Sequence, residues 1–240
     1  SGMPGNWPVP FGKGPSEKDP NHGHLVGGLL HSEGAGGRQR PPATRLSALT
    51  VSHDPERSWD DLVRFWEEME WPEGGRVEII EGIVTVSPPL SEEHNDTAEL
   101  LHERLYGALP PNCDWGVYQT LGLTCPETGS LFVPDLCVVP RVALRRGTRV
   151  PVGEAELVAE VTSRSNANHD RIKKAHGYAV GGVPFYLLLD PWHSGRPTAT
   201  LYGEPQRGTY RVLASVEYGE ELKLPEPFKL VLDTSMFPCN

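Results

Sequence analysis

The run Val183-Pro184-Phe185-Tyr186-Leu187-Leu188-Leu189-Asp190 constrains this chain more than any other segment. It is nearly all apolar and far shorter than a membrane span. Such a run suits a strand buried on both faces at the centre of a sheet. A central strand needs neighbours and covering layers, and the surrounding sequence supplies candidates for both. Ser58-Trp59-Asp60-Asp61 has capping-box spacing and precedes Leu62, Phe65, Trp66 and Met69, which predicts a short amphipathic helix ended by Pro72 and Gly74-Gly75. Two β-branched runs, Arg76–Ile80 and Ile83–Val86, flank Glu81-Gly82 and predict a hairpin. Ser91 is placed to cap a second helix through about Ala108.

Strand-like runs follow at Val117–Thr124, at Leu131–Val139 (broken by Pro134) and at Glu156–Ser163. A helix from about Asn168 to Val180 stops at Gly181-Gly182. Shorter strands are expected around Thr198–Tyr202, Thr209–Ser215 and Lys229–Leu232. The pattern predicts a mixed central β-sheet flanked by helices, with additional antiparallel strands, so α/β or α+β.

Composition divides the chain. Residues 1–58 hold 10 Gly and 8 Pro, with few large apolar residues. This predicts a disordered Gly/Pro-rich tail, with the folded domain at 59–240. Ser1-Gly2 ahead of Met3 reads as the scar of a cleaved tag, and His22 and His24 read as solvated tail residues. The tail carries 6 basic and 5 acidic residues against 16 and 27 in the remainder, so the net charge of -10 belongs to the folded part. That balance excludes a protein that coats nucleic acid by charge alone. No segment suits a membrane span or a signal peptide. Four cysteines without C-x-x-C spacing exclude a ready zinc site or redox pair, and a reduced cytoplasmic location is expected.

Three carboxylates stand apart. Glu78 lies within Val77-Glu78-Ile79, Asp135 within Val133-Pro134-Asp135-Leu136, and Glu160 within Ala159-Glu160-Val161. A lone carboxylate buried in an apolar strand is costly unless paired or metal-bound. Period two would instead place each on a solvated face, and that reading stays open, most of all for Glu78. Two such groups on neighbouring strands would suit a hard divalent cation. Lys174 and Tyr178 share a helix face at i, i+4; Lys173 and Lys174 also read as a solvated basic face. Arg141, Arg145, Arg146 and Arg149 follow the Asp135 strand, either as phosphate contacts or as a solvated loop.

The ordered set Val77-Glu78-Ile79-Ile80-Glu81-Gly82, Ser87-Pro88-Pro89, His94, Val133-Pro134-Asp135-Leu136, Leu157–Ser163, Asp170 with Lys174 and Tyr178, Gly182–Tyr186 and Asp190-Pro191 resembles the Uma-type restriction endonucleases of the PD-(D/E)XK nuclease superfamily, long a domain of unknown function. The resemblance covers roughly residues 59–235. It implies a restriction-endonuclease-like core and metal-dependent hydrolysis of phosphodiester bonds in DNA. Asp135 and Glu160 would bind Mg²⁺ or Mn²⁺, and Glu78 would be the additional acid. The superfamily lysine position, two residues after the second acid, is Thr162 here. Lys174, on the following helix, matches the Uma-type lysine, with Lys173 beside it. His94 matches a family histidine near the start of the second helix, for substrate contact or helix capping, and Tyr178, also placed on the substrate-binding side, is expected to pack or orient Lys174 rather than react. The implied partner is nucleic acid, in the form of DNA, and a homodimer is expected by analogy, since a two-fold pair would cut both strands. A catalytically inactive nuclease fold serving as a binding or regulatory module is the competing reading.

Overall fold

A computed structural model describes residues 49–51, 58–70, 73–164 and 167–238. The expected tail, with its histidine pair, lies outside the described residues apart from Leu49–Val51 and Ser58, and so does Pro72. Leu49–Val51, placed in the tail by composition, form a strand (β1) that pairs antiparallel with Ile83–Ser87. The described residues all fall in one compact unit, Thr44–Asn240.

Helix α1 (Trp59–Glu68) is capped by Ser58, whose hydroxyl accepts from the Asp61 N–H at 3.2 Å. Strands β2 (Arg76–Ile80) and β3 (Ile83–Ser87) pair with Ile80 opposite Ile83. Their two-residue loop, Glu81-Gly82, has positive φ at both positions, as tight hairpins require. Helix α2 (Glu92–Gly107) is capped by Ser91.

Two expected strands are each divided. Val117–Thr124 becomes parts of β4 (Trp115–Tyr118) and β5 (Leu123–Cys125). Leu131–Val139 becomes β6 (Ser130–Phe132) and β7 (Leu136–Pro140). Pro134 has no N–H to give a ladder, so pairing lapses there and the chain leaves one sheet for another. The first sheet has the order β1-β3-β2-β6-β5-β8, with β8 at Val150–Pro151. The second has the order β12-β11-β10-β9-β7-β4. Its members include β9 (Leu157–Val161), β10 (Phe185–Asp190), β11 (Thr198–Gln206) and β12 (Thr209–Glu217). Both sheets are mixed: in the first, β5 and β8 run parallel and β2 and β3 antiparallel, and in the second, β9 and β10 run parallel and β7 and β9 antiparallel. The architecture is thus mixed α/β with few helices, carried among the described residues on two six-stranded sheets, where one central sheet was expected, and a two-stranded antiparallel sheet of Glu221–Lys223 with Val231–Asp233.

The apolar run at 183–190 forms β10, inside the second sheet between β9 and β11. Leu187 and Leu189 join Leu101 and Leu105 of α2 in one core, and Tyr186 and Leu188 join Phe132 and Tyr178 in another. After β9 the chain enters a wide π-helical stretch, His169–Lys174, which continues as a regular helix, Ala175–Val180. Gly177 packs so close to the Phe132 ring that a Cβ there would overlap it. Tyr186 supports the wide turn from below by donating to the Asp170 carbonyl at 2.9 Å.

Candidate active site

The passage between sheets at Val133-Pro134-Asp135 sets Asp135 against residues of both. Arg76 and Glu78 come from β2 of the first sheet, and Glu160 from β9 of the second. His94 comes from the first turn of α2, and Asp170, Lys174 and Tyr178 from the helix at 169–180. All but Arg76 are buried, and the Arg76 side chain is 12% exposed.

Lys174 is the hub. Its Nζ lies 3.0 Å from Glu78 Oε1, 3.1 Å from Glu160 Oε1 and 3.4 Å from Asp170 Oδ1. Tyr178 donates its hydroxyl to the same Glu160 oxygen at 2.6 Å. Glu78 also accepts the Val133 N–H at 2.7 Å, which ties β2 to the chain just before Asp135. Arg76 pairs with Asp135, and its second nitrogen is 3.9 Å from Glu160 Oε2. Asp135 accepts the Val161 N–H at 2.8 Å. His94 Nε2 sits 2.9 Å from Asp135 but lacks hydrogen-bond alignment, and Nδ1 has no partner among the described residues.

Four carboxylates thus share two permanent cations, and the sharing is unequal. Burial alone would raise the Asp135 carboxyl, but Arg76, His94 and the Val161 N–H hold it well below the usual range. Burial pushes the Glu160 carboxyl up to about 7; Lys174 opposes the rise, and Asp135 and Glu78 add to it. Asp170 is likewise held well above its ordinary value by burial, against the pull of Lys174. Burial works against the Lys174 charge, yet Glu160, Glu78 and Asp170 keep it firmly protonated. Neighbouring acids with opposed shifts in one recess are a signature of functional sites.

The structure therefore gathers Glu78, Asp135, Glu160, Lys174, His94 and Tyr178. Lys173 is directed elsewhere, to Glu81 at 2.9 Å. Tyr178 is fully enclosed and gives its hydroxyl to Glu160, the carboxylate that also pairs with Lys174. Thr162, in the position of the superfamily lysine, gives its hydroxyl to Asp190 at 2.7 Å. Three of the four loop arginines are paired: Arg141 with Asp114, Arg146 with Glu154 and Arg149 with Glu67. Sequence reasoning missed Arg76 and the role of Asp170. Each left a faint trace, Arg76 by sharing a strand face with Glu78 and Asp170 by standing four residues before Lys174.

Asp135, Glu160 and Glu78 offer the hard oxygen donors that Mg²⁺ and Mn²⁺ take, so the donor set fits such an ion in kind. Among the described residues, however, no three His, Cys, Asp or Glu side chains converge on one point. The Arg76 guanidinium reaches both Asp135 and Glu160 and already supplies positive charge there. A small cavity of about 20 Å³ touches Arg76, Glu78, His94, Asp135, Glu160 and Lys174, room for one water-sized occupant.

This mixed α/β fold is of the restriction-endonuclease-like kind. A family profile described as “Putative restriction endonuclease”, Uma2, matches residues 64–235, and the chain belongs to that family. Restriction-endonuclease-like families generally use divalent metals. Among solved structures, the chain is similar to a crystal structure described as a “putative nuclease belonging to DUF820” from Anabaena variabilis. The TM-score is 0.57 at 18% identity, covering 75% of this chain and 97% of that one. No curated protein matches the sequence. Among the described residues, no helix is long and apolar enough to cross a membrane.

Proposed function

We propose that this protein is a cytoplasmic, metal-dependent endonuclease that hydrolyses phosphodiester bonds in DNA. The convergence of Asp135, Glu160 and Lys174 from separate elements carries the reading. Asp135 and Glu160, assisted by Glu78, would hold Mg²⁺ or Mn²⁺, which when bound acidifies water and neutralises phosphate charge. Lys174 is fixed by three carboxylates and is positioned to orient a water in the adjoining cavity or to stabilise charge developing on the phosphate. Glu160, with its carboxyl near neutrality, is suited to exchange a proton at pH 7. Tyr178 keeps Glu160 turned toward Lys174. Cutting both strands would be served by a two-fold dimer.

One observation favours a second reading, a nuclease fold that binds without cutting: Arg76 already pairs with the acid that would lead metal binding. Supercoiled plasmid incubated with Mn²⁺ or Mg²⁺ separates the two. Nicking that stops in EDTA and in Asp135→Ala is expected. An intact plasmid, together with a melting temperature that neither cation raises, would overturn the metal-dependent nuclease.

A further inference from the structure

A cleft of about 250 Å³ adjoins the carboxylate cluster and shares Leu90, His94, Val161 and Ser163 with the small cavity above it. Its apolar sides come from Pro88 to Leu90, after β3, and from Pro191-Trp192, after β10. Arg164 lies over the Trp192 ring, its Cζ 4.2 Å from the ring centroid. Arg164 is exposed and makes no ion pair among the described residues. His94, which lines both spaces, is 8% exposed with its Nδ1 unpartnered.

These features ask for a flat, partly apolar ring with a polar edge and a nearby negative charge. The Trp192 and Arg164 planes offer stacking, and the free Arg164 charge suits a phosphate. The His94 ring closes the end of the cleft nearest Asp135. An aliphatic side chain would not use the cation. We propose that this cleft takes one unstacked nucleobase next to the phosphate being cut, so that the substrate is single-stranded or locally opened DNA. The assignment rests on the nuclease reading for its placement. A base inside a duplex presents only its edges and cannot enter such a slot without leaving the stack. Stacking on Trp192 and Arg164 then takes the place of stacking on the neighbouring bases.

Fluorescence anisotropy of the full chain in EDTA tests this without cleavage. The probes are a labelled thymidine hexamer, the same hexamer within a duplex, and a hexamer of abasic nucleotides. The single strand is expected to bind at least about tenfold tighter than either of the others. Trp192→Ala is expected to remove that advantage, Trp192→Phe to retain most of it, and Arg164→Ala, at an exposed position, to weaken the single strand alone. Equal binding of the three probes, or no binding at all, overturns the proposal; so does a Trp192→Ala protein, folded by its melting curve, that still prefers the single strand. If the plasmid stays intact while the Trp192-dependent preference persists, the cleavage reading fails and the cleft stands. If the plasmid is cut and Trp192 has no effect on any probe, only the cleft fails.

Discussion

Glu160 and Asp190 lie at neighbouring places on adjacent parallel strands, both almost wholly buried, and they are treated in opposite ways. Asp190 receives two bonds from Arg171 at 2.7 and 2.8 Å, one from the Thr162 hydroxyl and one from the Trp192 N–H. Burial would raise its carboxyl, but these donors hold it below the ordinary value. Glu160 instead shares Lys174 with Glu78 and Asp170, and its carboxyl rises to about 7. A buried acid saturated with donors fastens the structure. A buried acid kept short of charge is left free to do chemistry.

The comparison breaks most sharply at Lys174. Lys174→Met would leave three buried carboxylates without their cation, and removal of one partner from a buried ion pair costs about 3–5 kcal/mol. We expect that loss in urea unfolding, with plasmid nicking abolished. Arg171→Ala attacks the fastened acid instead. It should cost roughly 2–3 kcal/mol, the value of hydrogen bonds to a charged group, because Thr162 and the Trp192 N–H still serve Asp190. Its divalent-cation affinity should stay within about twofold of the parent, measured by Mn²⁺ electron paramagnetic resonance.

Titration sharpens the contrast. The folded Glu160 binds its proton more tightly than the unfolded chain does, so stability in EDTA falls as pH rises from about 4.5 to about 7, by at most about 1.4 kcal/mol per pH unit for this group. Asp170 is shifted the same way, so Glu160→Gln should flatten the slope in part. Asp190 has the opposite sign: its contribution is present above pH 4 and lost as pH falls through its lowered folded value, so Asp190→Asn should leave the slope above pH 5 unchanged. Urea midpoints across pH 4–8 decide both. A smaller effect is expected at Arg76. Arg76→Gln removes a unit charge beside Asp135 and should tighten Mn²⁺ binding by about tenfold. Smallest of all, Arg196→Ala breaks a pair with Glu217 whose side chains are 74% and 52% exposed, and should change stability by less than about 0.5 kcal/mol.

Much of this was legible along the chain. Glu78, Asp135 and Glu160 stood out because each interrupts an apolar run, and burial of all three explains why the interruption is informative. Ser58, Ser91 and Glu81-Gly82 marked their elements correctly because caps and tight turns are local. Arg76 was not visible in this way. Its partner is 59 residues distant, and nothing at the start of a strand announces an ion pair across two sheets. The division of the sheet was hinted at by Pro134, but a proline says only that pairing stops, not that it resumes elsewhere. The tail reading was exceeded at Leu49–Val51, where pairing with β3 supplies backbone bonds that composition cannot forecast.

The wide turn at His169–Lys174 has a consequence for how this domain can change through descent. A regular helix advances about 100° per residue. Loss of a residue from that wider turn would change the angle at which the later side chains leave it, carrying Tyr178 away from Glu160 and turning Gly177 out of the gap left for Phe132. The segment thus behaves as a phase setting between the acid strands and the helix that serves them: the exposed Ile172 is open to substitution, and changes of length are not tolerated.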